Sequence, residues 1–258
     1  MSTYAFLNSL EMPFLQVEEG TFWQGAISYD HIARENEKPA HLQHVKTFYM
    51  SIYPVTQAEY MKVMHINPSY FSKYGDGWRF VQQIETDNFP VESVSWDDAM
   101  EFCRRLSNMT IEREKGFTYR LPTESEWEFA CKAGNNTIFA NGNSFTSNDA
   151  NINGNYPYNS QIVGKTINRP CPVGLYNPNQ LGFFDMHGNV WEWCLDTFKP
   201  YNIENAPNQD ARVLRGGSWN CYSRFCRASY RCISNRNSRF YDCGFRIVCE
   251  KKTIIWKI

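Results

Sequence analysis

The sequence predicts an α+β fold with a large share of irregular loop, and three observations carry that prediction. Three capping signatures mark helices of about ten residues each. Short runs rich in β-branched and aromatic residues lie between and around them. A long stretch from Asn135 to Ile167, rich in Asn, Gly, Pro and Ser, shows little periodicity.

The elements follow in chain order. Phe22 to Ala26 and His44 to Ile52 read as strands. Thr56, with Glu59 three residues on, forms a capping box ahead of Tyr60, Met61 and Met64. Ser95 with Asp98 opens a second helix from Trp96 to about Ser107, in which Ala99, Phe102, Cys103 and Leu106 recur at helical spacing. Thr123 with Glu126 opens a third, which carries Trp127, Phe129 and Ala130 on one side and stops at Gly134. Phe245 to Val248 reads as a last strand. A loop as long as Asn135 to Ile167 calls for a reason, such as a binding role or a bound ion. No internal repeat or linker-like shift in composition divides the chain, so residues 1–258 are read as one domain.

Composition narrows the function. Charged residues make up 21% and sum to a net charge of −1, which leaves no basic footprint for nucleic acid. No apolar run approaches the roughly 18 residues of a membrane span. Met1 to Met12 lacks the basic start, apolar stretch and small-residue cleavage site of a secretory leader. With 18 Phe, 15 Tyr and 8 Trp against ten Leu, the core is expected to be aromatic and irregular. Nine Cys without any Cys-x2-Cys spacing point to isolated thiols rather than a zinc site or disulfide framework. His41 and His44, in a segment of strand character, tend to opposite faces and read as structural. Nucleotide-binding and hydrolase signatures are absent.

Six blocks then occur in a telling order: Tyr53-Pro-Val-Thr-Gln, Pro90-Val-Glu-Ser-Val-Ser-Trp, Tyr119-Arg-Leu-Pro-Thr-Glu-Ser-Glu-Trp-Glu-Phe, Gly182-Phe-Phe-Asp-Met-His-Gly-Asn-Val-Trp-Glu-Trp, Arg215-Gly-Gly-Ser-Trp and Gly244-Phe-Arg. From about Pro13 to Glu250 the chain resembles the formylglycine-generating-enzyme (sulfatase-modifying factor) domain. The resemblance implies a variant of the C-type lectin fold, with a small twisted antiparallel sheet, two main helices and much irregular backbone. It also implies one candidate chemistry. Enzymes of the family bind copper through two cysteines spaced Cys-x4-Cys and oxidise a substrate cysteine to formylglycine. Cys221 and Cys226 stand at that spacing and Ser218 matches the motif serine. Paired thiolates are soft ligands suited to Cu(I). The chain departs from the enzymes at Tyr222, where they usually have His, and at Arg231-Cys-Ile-Ser-Asn, where they carry an Arg-x-Ala-Ala-Arg-like stretch. Asp185, Gly188, Val190 and Glu192 align with a calcium site of the family, a set of hard oxygen ligands. Structural calcium is therefore a candidate, and no cofactor is required otherwise.

A second reading comes from the composition of Ser218 to Cys243. These 26 residues hold five Ser, five Arg, four Cys, three Asn, three Tyr and two Phe, with no Lys, Glu, Gln or Met. Codons ending in a pyrimidine cannot encode Lys, Glu, Gln, Met or Trp, yet they can encode Asn, Tyr, Ser, Cys, Phe, Asp, Ile and Arg, the set that adenine mutagenesis of Asn codons leaves behind. The frame, Arg-Gly-Gly-Ser-Trp to Gly-Phe-Arg, is similar to the variable region of diversity-generating-retroelement proteins of the treponemal variable protein type, which share this lectin fold. The resemblance implies a variable region at about 215–248. Its diversified positions would be Asn220, Cys221, Tyr222, Arg224, Phe225, Tyr230, Cys232, Ile233, Ser234, Asn235, Asn237, Ser238, Phe240, Tyr241 and Asp242, with Ser218, Trp219, Cys226, Arg227, Arg231 and Arg239 as scaffold. Tyr and Phe offer contact area at low entropic cost, and Ser and Asn adaptable hydrogen bonds, as in a paratope. The expected function is thus binding of a protein or other macromolecule by a monomer, without a reaction. Such proteins are displayed at the cell surface, which is the expected location, the cytoplasm being the alternative.

Overall fold

The computed structural model describes residues 4–203 and 208–251. Eleven strands and four helices occupy a minority of them. A five-stranded antiparallel sheet runs β1 (Phe6–Leu7), β2 (Pro13–Val17), β5 (Phe48–Ser51), β11 (Val248–Lys251), β6 (Phe117–Arg120) in spatial order. A four-stranded sheet runs β10 (Cys243–Gly244), β7 (Trp191–Thr197), β8 (Ala211–Arg215), β9 (Cys232–Asn235), and its β10–β7 pair is parallel. A hairpin of β3 (Gly20–Gln24) and β4 (His41–Val45) stands apart.

The first sheet is covered on both faces, and the period of two along its strands explains how. Phe14 faces one core with Phe102, Leu106, Tyr119, Trp193 and Phe245, while its neighbour Leu15 faces another with Met50, Trp127, Cys131, Val213 and Val248. Helices α1 (Gln57–Met64) and α2 (Trp96–Asn108) pack on the first side, and α4 (Glu124–Lys132) on the second. All three expected capping boxes form: Thr56, Ser95 and Thr123 each accept from the backbone N–H three residues on. The helix α4 ends close to the predicted stop, with Ala133 and Gly134 both at positive φ. A one-turn helix α3 (Thr110–Glu114) was not foreseen.

Three strand expectations shift. The run His44 to Ile52 is broken at Lys46 and Thr47, because its halves belong to different sheets. The first predicted strand starts and ends two residues earlier, at Gly20–Gln24. The last strand begins only at Val248, since Phe245 to Ile247 are committed to the core ahead of it.

The stretch Asn135 to Ile167 contains no helix or strand, and it wraps a small core of its own from Ile138, Phe139, Phe145, Ala150, Ile152 and Cys226. Its backbone also props the segment that follows β8: Asn153 N donates to Cys221 O (3.0 Å), Ser223 N to Tyr156 O (3.2 Å) and Ala228 N to Ile138 O (2.9 Å). Among the described residues no helix is long and apolar enough to cross a membrane.

Candidate functional site

The segment from β8 to β11 is built in two layers. It leaves β8 through Gly216 and Gly217, both at positive φ, and at Gly217 a Cβ would lie 2.3 Å from Cys226 Sγ. Only glycine allows the chain to fold over that cysteine.

The inner layer is a set of buried arginines. Arg215 donates to Glu128 Oε2 (2.5 Å) and to the carbonyls of Ala228, Ser229 and Tyr230. Arg227 is held by Asp30 and, through both amino groups, by Glu37 (2.8 Å each). Arg231 forks onto Glu124 (2.6 and 2.8 Å) and Arg246 onto Glu192 (2.6 and 2.8 Å). Glu124 and Glu128 lie one turn apart on α4, so one helix face serves two arginines. Neighbouring Lys132 and Arg215 hold the Glu128 carboxyl below its ordinary pKa despite the opposing effect of burial. Desolvating four guanidiniums is costly; fork-to-fork pairing at Arg231 and Arg246 and carbonyl acceptors at Arg215 offset it, although Arg215 Nε is left without a partner.

The outer layer carries the residues that the sequence places on a ligand face. Asn220, Arg224, Ile233, Asn235, Asn237, Phe240 and Tyr241 are exposed. Cys221, Tyr222, Phe225, Cys232, Ser234, Ser238 and Asp242 are half-buried. Tyr230 is a correction: it is only 5% exposed, packed against Trp191 and Phe225, because the carbonyls of Ser229 and Tyr230 are pulled inward by Arg215. Ser218, Trp219, Cys226, Arg227 and Arg231 are buried, whereas Arg239 is exposed and paired with Asp98 (2.7 Å).

Residues that sequence reasoning did not assign hold this layer in place. Arg236 pairs with Asp97, next to Asp98 in the first turn of α2, and Trp96 N donates to Arg236 O (3.0 Å). Ser93 N donates to Phe240 O (2.9 Å). Tyr70 and Phe71 lie 5.5 and 6.1 Å from Tyr241, ring to ring. Glu92 anchors that aromatic loop by accepting from Phe71 N (2.8 Å) and Ser93 Oγ (2.7 Å), and burial pushes its carboxyl up to about 7. Tyr156, from the long loop, stacks on Tyr222 at 3.6 Å. None of these contacts has a local signature; only the expectation that the long loop has a role pointed at Tyr156.

Ser218, Cys221 and Asp242 meet at the base of this face. Ser218 Oγ donates to Asp242 Oδ2 (2.8 Å) and lies 3.3 Å from Cys221 Sγ. As a donor set, Cys221 and Cys226 suit Cu(I). Burial opposes the thiolate form: it pushes Cys221 up to about 11 and Cys226 well above the ordinary thiol value. Copper binding would therefore have to displace protons the fold retains. All nine cysteines are free, and the described residues contain no group of three or more His, Cys, Asp or Glu placed to hold a metal.

The calcium alignment fares worse. Both Glu192 oxygens are taken by the Arg246 guanidinium, and Oε2 also accepts from Trp127 Nε1 (2.7 Å). Asp185 Oδ2 accepts from Gly174 N (2.8 Å), and burial raises its carboxyl to about 6. Gly188 N donates to Gly216 O (2.8 Å), and Val190 is buried. With a cation already bound at Glu192, these residues do not fit calcium as arranged. His187, in the same block, is a tie between loops: Nε2 accepts from Ala140 N (2.9 Å), so Nδ1 carries the proton donated to Cys226 O (2.6 Å). Burial lowers its pKa to about 4.

Residues 10–251 match the family described as Sulfatase-modifying factor enzyme 1-like domain. The chain belongs to this family. It is 32% identical over 200 residues to a formylglycine-generating enzyme of Streptomyces coelicolor, a match covering 69% of this chain and 60% of that one. It thus spans well under the whole length of that enzyme. It is 28% identical over 254 residues to an inactive C-alpha-formylglycine-generating enzyme 2 of Bos taurus, covering 82% of this chain and 78% of that one. The family therefore includes both formylglycine-generating enzymes and members named inactive. Among solved structures, Treponema denticola variable protein 1 superposes with a TM-score of 0.72 at 24% identity, over 96% of this chain and 98% of that one. PvdO from Pseudomonas aeruginosa superposes at 0.74 and 22% identity, over 97% and 100%. These likenesses establish the sulfatase-modifying-factor type of C-type lectin-like fold that the sequence blocks imply.

Proposed function

We propose that this family member is a ligand-binding protein whose outer face, at residues 220–242, engages a protein or other macromolecule by complementarity, without a reaction. The observation that supports it most is the division of one short segment by depth. Arginines with fixed ion pairs lie inside, and Asn220, Ile233, Asn235, Asn237, Phe240 and Tyr241 are exposed outside them. A frame of that kind tolerates sequence change at its surface, which is what diversification by a retroelement requires. In this reading the protein acts as a monomer displayed at the cell surface. The test is genomic. A near-copy of the segment for residues 218–243, with AAY codons at the diversified positions and beside a reverse transcriptase, is the expected finding. Absence of such a copy sinks the diversification.

One observation favours a second reading, copper-dependent oxidation of a sulfatase cysteine. Ser218, Cys221 and Cys226 keep the family's motif spacing, with Ser218 in contact with Cys221. Incubation with Cu(I), oxygen and a Cys-x-Pro-x-Arg peptide separates the two. Formylglycine made by this chain and lost in Cys221→Ser would overturn the binding-only view; no product leaves it standing.

A further inference from the structure

Beside the outer face lies a small cleft of about 190 Å³ lined by Ile32, Arg34, Arg224, Phe225, Arg227 and Tyr230. Its electrostatics are unbalanced. Arg227 is paired with both Asp30 and Glu37 beneath the floor, and Glu37 also accepts from Arg34 N (3.0 Å), but no carboxylate among the described residues lies within ion-pair distance of the Arg34 or Arg224 guanidinium. Both guanidiniums instead stand over aromatic rings. Arg34 lies 5.0 Å from the Tyr230 centroid and 5.7 Å from Phe225, and Arg224 lies 4.6 Å from Phe225 and 5.5 Å from Tyr222. Two like charges are thereby gathered around the single ring of Phe225, held by stacking and left with their planar donor edges open.

The geometry points to a carboxylate pocket: we infer that the cleft receives an Asp or Glu side chain, or a chain-terminal carboxylate, of a polypeptide ligand. This inference rests on the ligand-binding reading of the face and names what that face grips. Three arguments support it. Guanidinium forks match the planar carboxylate with two parallel hydrogen bonds, and stacking on aromatic rings fixes the forks in advance. A single anion relieves the repulsion between the Arg34 and Arg224 guanidiniums, neither of which has an ion-pair partner among the described residues. The volume is below the roughly 300 Å³ at which small-molecule sites begin, so the cleft suits one side chain of a larger partner rather than a whole metabolite. Arg34 belongs to the turn before Glu35–Glu37, outside the segment read as diversified. It would therefore remain as a constant anchor while Arg224 is one sampled solution beside it.

The experiment follows the arginine Nε–H resonances of the full chain by NMR during titration with an acetylated, amidated pentapeptide of glutamate and glycine. Its glutamine and phosphoserine counterparts are titrated in parallel. Saturable shifts of the Arg34 and Arg224 signals with the glutamate peptide, and none with the glutamine peptide, are expected. Arg34→Ala and Arg224→Ala should each weaken binding about tenfold, as loss of a charge-assisted hydrogen bond predicts. Arg104→Gln, on the remote surface of α2, should leave it unchanged. Equal response to both peptides, indifference to both arginine substitutions, or tighter binding of the phosphoserine peptide would each overturn the carboxylate assignment. The peptides are independent of the codon pattern, so such a failure removes the cleft and leaves the genomic test of the face intact.

Discussion

Two groups of arginines around the last third of this chain lie in contrasting environments, and the contrast explains how the site is organised. Arg215, Arg227, Arg231 and Arg246 are buried and paired with carboxylates carried by α4, β7 and the segment 30–37. Arg34, Arg224 and Arg239 are exposed, and Arg236 is partly so, paired with surface acids or with rings alone. A desolvated guanidinium has one satisfactory arrangement, so the inner set specifies the path of the backbone. A hydrated one has many, so the outer set constrains the path of the backbone less.

The sharpest way to break the inner layer is to remove one partner of a buried pair. Arg246→Ala or Glu192→Ala leaves an uncompensated charge among Trp127, Phe184 and Ile52. A loss of about 3–5 kcal/mol is expected, read as a lowered urea midpoint or failure to fold. A midpoint within error of the unmodified protein would show that the layer is not structural.

Acid probes the buried interior beneath the segment through His187. The unfolded imidazole gains a proton below its ordinary value of about 6.5, whereas the folded one resists until about 4. The His187 contribution is therefore intact above pH 6.5 and lost as pH falls to 4, by about 3 kcal/mol at most. Glu92, raised to about 7, and Asp185 and Asp196, each raised to about 6, act in the opposite direction: the folded state binds their protons first, so acid favours it. The net slope mixes the two. The stability gap between the unmodified protein and His187→Gln isolates the histidine, and that gap should narrow from pH 7 to 4. A gap independent of pH would contradict a buried neutral imidazole.

Smaller effects sharpen the comparison. Thr123→Ala removes the cap of the helix that carries Glu124 and Glu128, at a cost of about 1 kcal/mol in urea unfolding. Asn235→Ala and Asn237→Ala, on the outer layer, should stay within about 0.5 kcal/mol. Calcium or a chelator should leave the melting temperature where it was, because Arg246 already holds the Glu192 carboxylate. A stoichiometric calcium ion found by elemental analysis would reverse that conclusion.

What could be read along the chain were interactions that close within a few residues. The caps at Thr56, Ser95 and Thr123 join positions three apart, and each forms as read. Left-handed Ala133 ends α4 one residue before the expected stop, Gly134, which also has positive φ. The family blocks likewise revealed the fold, since each is contiguous. What could not be read were depth and partnership. Along the run 224–239, Arg227 and Arg231 turn inward and Arg224, Arg236 and Arg239 outward, although the residue type is the same.

By itself, then, the sequence determined the capped helices, the family fold and a terminal segment of unusual composition. The tertiary structure alone decided which face that segment presents: Tyr230 went inward, Glu192 was given to Arg246, and Arg34 was brought to Arg224. The physical reason is range. Arg231 meets Glu124 across 107 residues and Arg227 meets Glu37 across 190, and no local rule of spacing records a charge that is neutralised only when the chain has closed.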